Sequence, residues 1–341
     1  MLTPPPGCDP DAIVLSFPVP KEQAGLRLDR FICLRIPRLS RTRANEIVRS
    51  CAFFADGRKR RASDRVREGE TVLLVRPAMR EPRAPMHYAV LYEDADVVVV
   101  DKPAGLPMHP TATYHRHTLQ KLMERDYGDD APMFCHRLDR ETSGIVICSK
   151  HTAAEVELKR RFERREVGKR YVAIVRGEMA NDRGVIDAPM RGAEDGPHVR
   201  MVIAEDGLPA VTEWQVIDRR RGASLVSLHP ETGRQHQLRV HLASMGHPIV
   251  GDKLYGPEGV QPFLDAIDDG LTDELLGRLG HPRHALHAHR LEIPHPRTGA
   301  LLEIEAPFPP DLVKLWDDPE PPLRGEPAIG WDELWRSPHE E

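Results

Sequence analysis

The sequence predicts an α+β protein built from two folded segments. Three observations predict it: helical spacing and basic charge crowded into the first 80 residues, β-branched runs recurring through the middle of the chain, and a period-2 alternation near residues 290–304. At 341 residues, 40% hydrophobic and 30% charged, the chain has room for two or three domains. No apolar run approaches the ~20 residues that span a bilayer. Residues 1–20 lack the basic-then-apolar order of a signal peptide. The five cysteines (Cys8, Cys33, Cys51, Cys135, Cys148) are scattered and form no C-x-x-C pair. That pattern argues against a disulfide framework and a cysteine zinc site, and it fits a reducing cytoplasm.

In chain order, residues 1–20 are Pro-rich and are expected to be a flexible extension. Leu28, Phe31, Ile32 and Ile36 then fall at helical spacing, and Pro37 ends the run. Ser40 is placed to cap a second helix over 41–50, with Ala44, Ile47 and Val48 inward and Arg41, Arg43 and Arg49 left for solvent or phosphate. A short strand and turn at 53–57, the basic run Arg58-Lys59-Arg60-Arg61 and a strand over 71–75 complete this segment, 21–80. It carries 16 Lys/Arg against 7 Asp/Glu, whereas residues 310–341 carry 3 against 9, so the net charge of −5 hides a compact basic block. Such a block points to a polyanion partner, most often nucleic acid; the plain alternative is a solvated basic face.

Pro77, Pro82 and Pro85 stand among charges and mark a linker, set at 81–90. The large segment, 91–310, opens on Val97-Val98-Val99-Val100, a buried-strand signal cut by Lys102-Pro103-Ala104-Gly105. A helix is expected over 118–125 and another over 151–165, the second with Ala154, Leu158 and Phe162 on one stripe. Strands are expected at 169–175, 211–217 and 224–228, with hairpins and loops over 181–210. Thr232 is placed to cap a helix running to about residue 245, stopped by Gly246. Leu291, Ile293, Leu302 and Ile304 alternate around the turn residues Pro296-Arg297-Thr298-Gly299, the pattern of a hairpin over 286–305. The tail, 311–341, is acidic and gives no functional signal.

The densest chemistry lies at His136-Arg137-Leu138-Asp139-Arg140-Glu141-Thr142-Ser143-Gly144, directly before the buried run Ile145-Val146-Ile147-Cys148. An imidazole, two guanidinium groups, two carboxylates and two hydroxyls beside a core strand are costly unless paired. On chemistry alone the loop is either a salt-bridged corner or a working site. A second polar cluster runs from Glu231 to His241. Glu141 reads as a surface or helix-start charge, because glycosidases need two carboxylates set across the scissile bond. His281, His284, His287 and His289 invite a metal reading, but they lack the H-E-x-x-H spacing or a cysteine partner and read as structural.

The His-Arg-Leu-Asp-x-x-Thr-Ser-Gly pattern at 136–144 resembles the RluA-type RNA pseudouridine synthases. Three further matches fall in that family's order: Asp101-Lys102-Pro103-Ala104-Gly105-Leu106, then Lys169-Arg170-Tyr171-Val172-Ala173, then Thr232-Gly233-Arg234-Gln235-His236-Gln237-Leu238-Arg239-Val240-His241 with His247-Pro248-Ile249-Val250-Gly251-Asp252. Asp101 stands where Asn is usual. The front segment resembles the S4-like RNA-binding domain through Gly25-Leu26-Arg27-Leu28-Asp29-Arg30, Ser40-Arg41-Thr42-Arg43 and Val66-Arg67-Glu68-Gly69-Glu70, with Asp56-Gly57 in place of the usual Asn-Gly turn. The resemblance implies a large mixed, mainly antiparallel β-sheet flanked by helices, preceded by a small αL-type S4-like domain. It implies isomerisation of uridine to pseudouridine in RNA, large-subunit ribosomal RNA ahead of transfer RNA, by a monomer needing no cofactor or metal. That agrees with the lack of a phosphate loop or dinucleotide motif. Asp139 maps onto the catalytic aspartate, Tyr171 onto the active-site tyrosine and Arg234 onto a cation paired with Asp139, with Arg239 as the alternative partner if Arg234 caps its loop. Arg137 maps onto a residue that displaces the target nucleotide, whose place in the stack a guanidinium plane fills. Arg41, Arg43, Arg58, Lys59, Arg60 and Arg239 are the further candidate RNA contacts. A non-catalytic RNA-binding protein of the same fold and a nucleoside or glycoside hydrolase are the competing readings.

Overall fold

A computed structural model describes residues 3–317, apart from 10, 11, 37, 38, 77–80, 112, 198 and 221. Pro37, Pro77 and the tail beyond residue 317 therefore lie outside the described residues. The chain divides into two compact units, Met1–Pro82 and Arg83–Glu341.

The first unit contains β1 (Ile13–Pro18), α1 (Leu28–Arg35), α2 (Arg41–Cys51), β2 (Ala52–Phe53) and β3 (Thr71–Arg76). The strands form an antiparallel sheet in the order β1-β3-β2. Leu28, Phe31 and Ile32 recur at i, i+3, i+4, so α1 presents one apolar stripe, which packs with Ala44, Val48, Val72 and Leu74. Ser40 caps α2 as expected, its Oγ accepting the Arg43 amide at 3.2 Å. The expectation of a flexible extension over 1–20 is corrected from residue 13 onward. Residues 13–18 pair with β3 along their whole length and Val19 is buried in the core, because the backbone groups on the open side of β3 need partners. Arg41, Arg43, Arg58 and Lys59 are exposed. Arg60 is a second correction. Its guanidinium is buried, pairs with Glu70 at 3.1 Å and lies 4.6 Å from the Phe54 ring centre, so it braces the turn rather than facing outward.

The second unit opens with β4 (Ala89–Glu93), β5 (Val97–Lys102), α3 (Leu119–Tyr127), β6 (Met133–Phe134), β7 (Ser143–Ser149), α4 (Thr152–Glu163) and β8 (Gly168–Arg176). It continues through β9 (Arg183–Asp187), β10 (Met190–Gly192), β11 (Met201–Ile203), β12 (Val211–Arg220), β13 (Ala223–Pro230) and α5 (Gln237–Ser244). It closes with α6 (Gln261–Asp268), α7 (Asp273–Leu279), β14 (Leu286–Pro294), β15 (Leu301–Glu305) and α8 (Pro310–Asp317). Among the described residues a ten-stranded sheet runs β4-β5-β7-β14-β8-β13-β12-β9, with β15 on β14 and β6 on β7. Its pairings are antiparallel except for β7 with β14, which touch at Ser143 with His287 and Gly144 with Ala288. The mixed, mainly antiparallel sheet expected from the resemblance is what forms.

Both sheet faces are covered, so the β5 and β7 runs are apolar on both sides. Val97, Val99, Ile145 and Ile147 face Leu158 of α4; Val98, Val100, Val146 and Cys148 face Leu119, Leu122 and Met123 of α3. Toward β8 and β13 the core takes in Leu238 and Leu242 of α5 and Leu312 and Trp316 of α8. Two expected boundaries change. The linker set at 81–90 already contributes Ala84 and Tyr88 to packing and enters β4 at Ala89. The tail set at 311–341 begins with α8, because Leu312 and Trp316 make an apolar stripe; Arg220 stacks 4.6 Å from the Trp316 ring centre and donates to its carbonyl. No helix among the described residues is long and apolar enough to cross a membrane.

Candidate active site

The loop before β7 is fastened by buried polar contacts on both sides of Asp139. His136 stacks on Phe162 at 5.1 Å, and its Nε2 accepts the Ile147 amide at 3.1 Å, which requires a neutral ring; burial pushes its pKa down to about 4. Lys102, wholly buried at the end of β5, donates to the carbonyls of Pro103, Leu106 and Arg140 at 2.9, 3.0 and 3.1 Å. Burial pushes its pKa down to about 7, while three carbonyl acceptors favour the ammonium. Glu141 gives both carboxylate oxygens to Lys253 at 2.9 Å, and Thr142 and Ser143 hydrogen-bond His284 and His287 at 2.8 and 3.0 Å. Gly144 has φ +110°, and a Cβ there would meet the Ala288 carbonyl oxygen at 2.2 Å. Only glycine therefore lets β7 approach β14 so closely.

Asp139 is left facing an open cavity that Arg137, Tyr171, Arg234 and His236 also line. Arg239 of α5 donates to it from Nη1 at 3.0 Å and grips Asp252 through Nε and Nη2 at 2.7 and 2.9 Å. Asp252 also accepts the amides of Leu254 and Tyr255 at 2.9 and 3.1 Å. Burial alone would raise the Asp252 pKa and lower that of Arg239, but the pairing outweighs it: the Asp252 carboxyl is held far below the usual range and the guanidinium far above. Two carboxylates thus share one buried cation, and only Asp139 opens onto the cavity.

Tyr171 of β8 lines the same cavity. Burial, then the Asp139 charge, pushes its hydroxyl pKa well up, so the phenol stays protonated. Arg137 is exposed at the cavity edge with no hydrogen bond or ion pair among the described residues. Arg234 also lines the cavity, but its Nε donates to the Pro209 carbonyl at 3.1 Å and its amide donates to the Gln237 side chain. The expected Arg234–Asp139 pair is therefore corrected to Arg239–Asp139. The cause is local: His236 takes a left-handed backbone with φ +56°, so α5 is capped at His236 rather than at Thr232, and the inward side chain becomes Arg239. Arg239 is also corrected as an RNA contact, since both carboxylates occupy its buried donors.

Several site residues carried no assigned role in the sequence reading. Asp252 and Lys253 orient the two halves of the loop's charge. Tyr255 places its ring 5.0 Å from the Arg239 guanidinium and its hydroxyl 2.7 Å from His236 Nδ1. The signal was an acidic residue, a lysine and a tyrosine within four positions after Gly251, following the second polar cluster. The four histidines sit as structural partners: beyond His284 and His287, His281 pairs with Asp311 and His289 bonds the Ala306 carbonyl. Asp94, Asp96 and His295 could together approach a cation. They do not line this cavity, and their oxygens are taken up by Arg297, His151, Tyr92 and the amides of Asp96 and Val97.

Residues 96–244 match the family model for RNA pseudouridylate synthase. The chain is similar to the ribosomal large subunit pseudouridine synthase D of Nitrosomonas europaea, 33% identical over 88% of this chain and 86% of the relative. It is also similar to the protein of that name from Xanthomonas campestris, 37% identical over 87% and 90%. Among solved structures it resembles human RNA pseudouridylate synthase domain containing 1, with a TM-score of 0.56 and 30% identity over 74% of this chain and 95% of that one. The sheet, the Asp139 cavity and these similarities agree: the chain belongs to the RNA pseudouridylate synthase family, isomerases that convert uridine in RNA to pseudouridine.

Proposed function

We propose that this protein isomerises specific uridines of large-subunit ribosomal RNA, with Asp139 as the catalytic aspartate and Tyr171 against the target base. The observation that carries the reading is the Asp139 carboxylate, ion-paired to a buried Arg239 and facing an open cavity beside Tyr171. The C1′–N1 bond breaks, uracil turns, C1′–C5 forms, N1 gains a proton and the C5 proton leaves to water. The balance needs no oxidant and no second substrate. A single ionised carboxylate serves such a step as nucleophile or base. Arg137, free at the cavity edge, fills the gap left in the stack by the extruded nucleotide. The names of the relatives support the ribosomal target, and a cytoplasmic site of action fits that target.

The test is tritium release from ribosomal RNA labelled at uracil C5. Large-subunit RNA should release label as water with the wild-type protein. Release from transfer RNA alone would overturn the substrate assignment, and free uracil as product would replace the isomerase with a hydrolase.

We further propose that the first unit is an S4-like RNA-binding domain acting through Arg41, Arg43, Arg58 and Lys59. Phosphate contacts release counterions, so log affinity falls with log salt by about 0.7–0.9 per contact. A chain starting at residue 83 should bind RNA more weakly and with a shallower salt slope in filter binding at several salt concentrations. An unchanged slope would remove the RNA role from this unit.

A further inference from the structure

We propose that the Tyr255 hydroxyl holds His236 as its Nε2–H tautomer, so that His236 presents a second N–H donor to Asp139, with Tyr255 as a positioning residue. The inference rests on the reading of the Asp139 cavity as the isomerising site.

The assignment follows from counting protons. The Met201 amide donates to the Tyr255 oxygen at 2.9 Å. The phenolic proton then has one acceptor among the described residues, His236 Nδ1, at 2.7 Å. An Nδ1 that accepts leaves a neutral imidazole with its proton on Nε2. Neutrality is favoured by the surroundings: burial and the Arg239 and Arg137 guanidiniums outweigh the Asp139 and Asp252 carboxylates and bring the His236 pKa down to about 4. Nε2 lies 3.7 Å from Asp139 Oδ2. That is beyond hydrogen-bond length, but a shift of about 0.7 Å closes it, and catalytic hydrogen bonds commonly tighten only when substrate is bound.

The same tyrosine serves both donors to Asp139. Its ring lies 5.0 Å from the Arg239 guanidinium and meets the His236 ring edge-on at 5.6 Å. Met201 belongs to β11, in the two-stranded β10–β11 hairpin. The amide–phenol–imidazole chain therefore ties that hairpin to the reacting carboxylate. His236 itself lines the cavity and takes a left-handed backbone, φ +56°.

That backbone makes a decisive pair of variants possible. The amide nitrogen of glutamine reaches the Nε2 position, whereas that of asparagine reaches only Nδ1. Asparagine, however, tolerates left-handed φ better than glutamine. If His236 acts through Nε2–H, His236→Gln should keep kcat within about tenfold of wild type and His236→Asn should lose about 10²-fold, with little change in KM. If the position matters only for its backbone, the order reverses, and that order would overturn the proposal. Tyr255→Phe keeps the ring under Arg239 and removes the phenolic proton. Imidazole 15N spectra of the full chain should show wild-type His236 protonated at Nε2 and a tautomer mixture in Tyr255→Phe. Protonation at Nδ1 in the wild type would also overturn the proposal. Because the spectra need no turnover, they decide the tautomer even if no tested RNA proves to be a substrate, which would be a failure of the proposed function instead.

Discussion

Asp139→Asn is expected to lower the isomerisation rate by about 10⁴-fold, the scale set by removing one member of a catalytic group, with almost no loss of stability. The dissociation of the two effects is the informative part. Asp139 faces the cavity, and Arg239 keeps its two-point grip on Asp252 when the Asp139 charge is removed. Asparagine is isosteric and its carbonyl oxygen still accepts from Nη1, so the change in unfolding free energy should stay within about 1 kcal/mol. Tritium release and urea unfolding on the same preparation check both halves. Activity within tenfold of wild type would move the chemistry to another residue; a large stability loss would make Asp139 a structural corner, the competing reading of its loop.

Arg239→Met is expected to damage both. It leaves Asp252, a carboxylate with no exposed side-chain surface, without its cation and, among the described residues, with the amides of Leu254 and Tyr255 as its remaining donors. Removing one partner of a buried pair costs about 3–5 kcal/mol. Asp139 loses its donor at the same time, so activity should fall about 10²–10³-fold even in the folded fraction. The pH dependence has a definite sign. In the wild type the Asp252 pKa is depressed below its unfolded value of ~3.9, so its contribution is complete above that pH and is lost as pH falls through the folded value. In Arg239→Met the orphaned carboxyl is raised instead, and acid relieves it by protonation. The stability gap between variant and wild type should therefore narrow from pH 7.5 to pH 5. A gap that stays constant or widens would show that Asp252 is not the group left uncompensated.

Much of the site was legible because charge beside a β-branched run is rare and must be explained. The strand after Asp139 could be read that way, whereas Asp139 and Tyr171 stood out as site residues through the resemblance of their motifs to the synthase family. The partner of Asp139 was not legible. Choosing between Arg234 and Arg239 depends on where α5 begins, and a single left-handed residue, His236, moves its cap four positions on from Thr232. Thr232 looked like a cap, but its hydroxyl donates to the Gln237 side chain instead. Elsewhere composition hid pairing. Prolines around residues 4–18 masked β1, acidic residues masked the apolar stripe of α8, and a run of four basic residues concealed that Arg60 alone turns inward. Each is a tertiary contact that no local propensity encodes.

The position of β14 has a consequence for the order in which this enzyme can come into being. Asp139, Tyr171 and Arg239 are all synthesised before residue 286, yet the strand that joins β7 to β8, and so brings their side chains into one cavity, is β14. A nascent chain can hold all three side chains while lacking the beam between them. The edge of β8 and the first two residues of β7 stay without their partner until that strand emerges and inserts, the kind of delayed long-range pairing that is slow and exposed to misassociation. Activity in this architecture is therefore a late product of folding, acquired when one strand near the end of the unit closes the sheet.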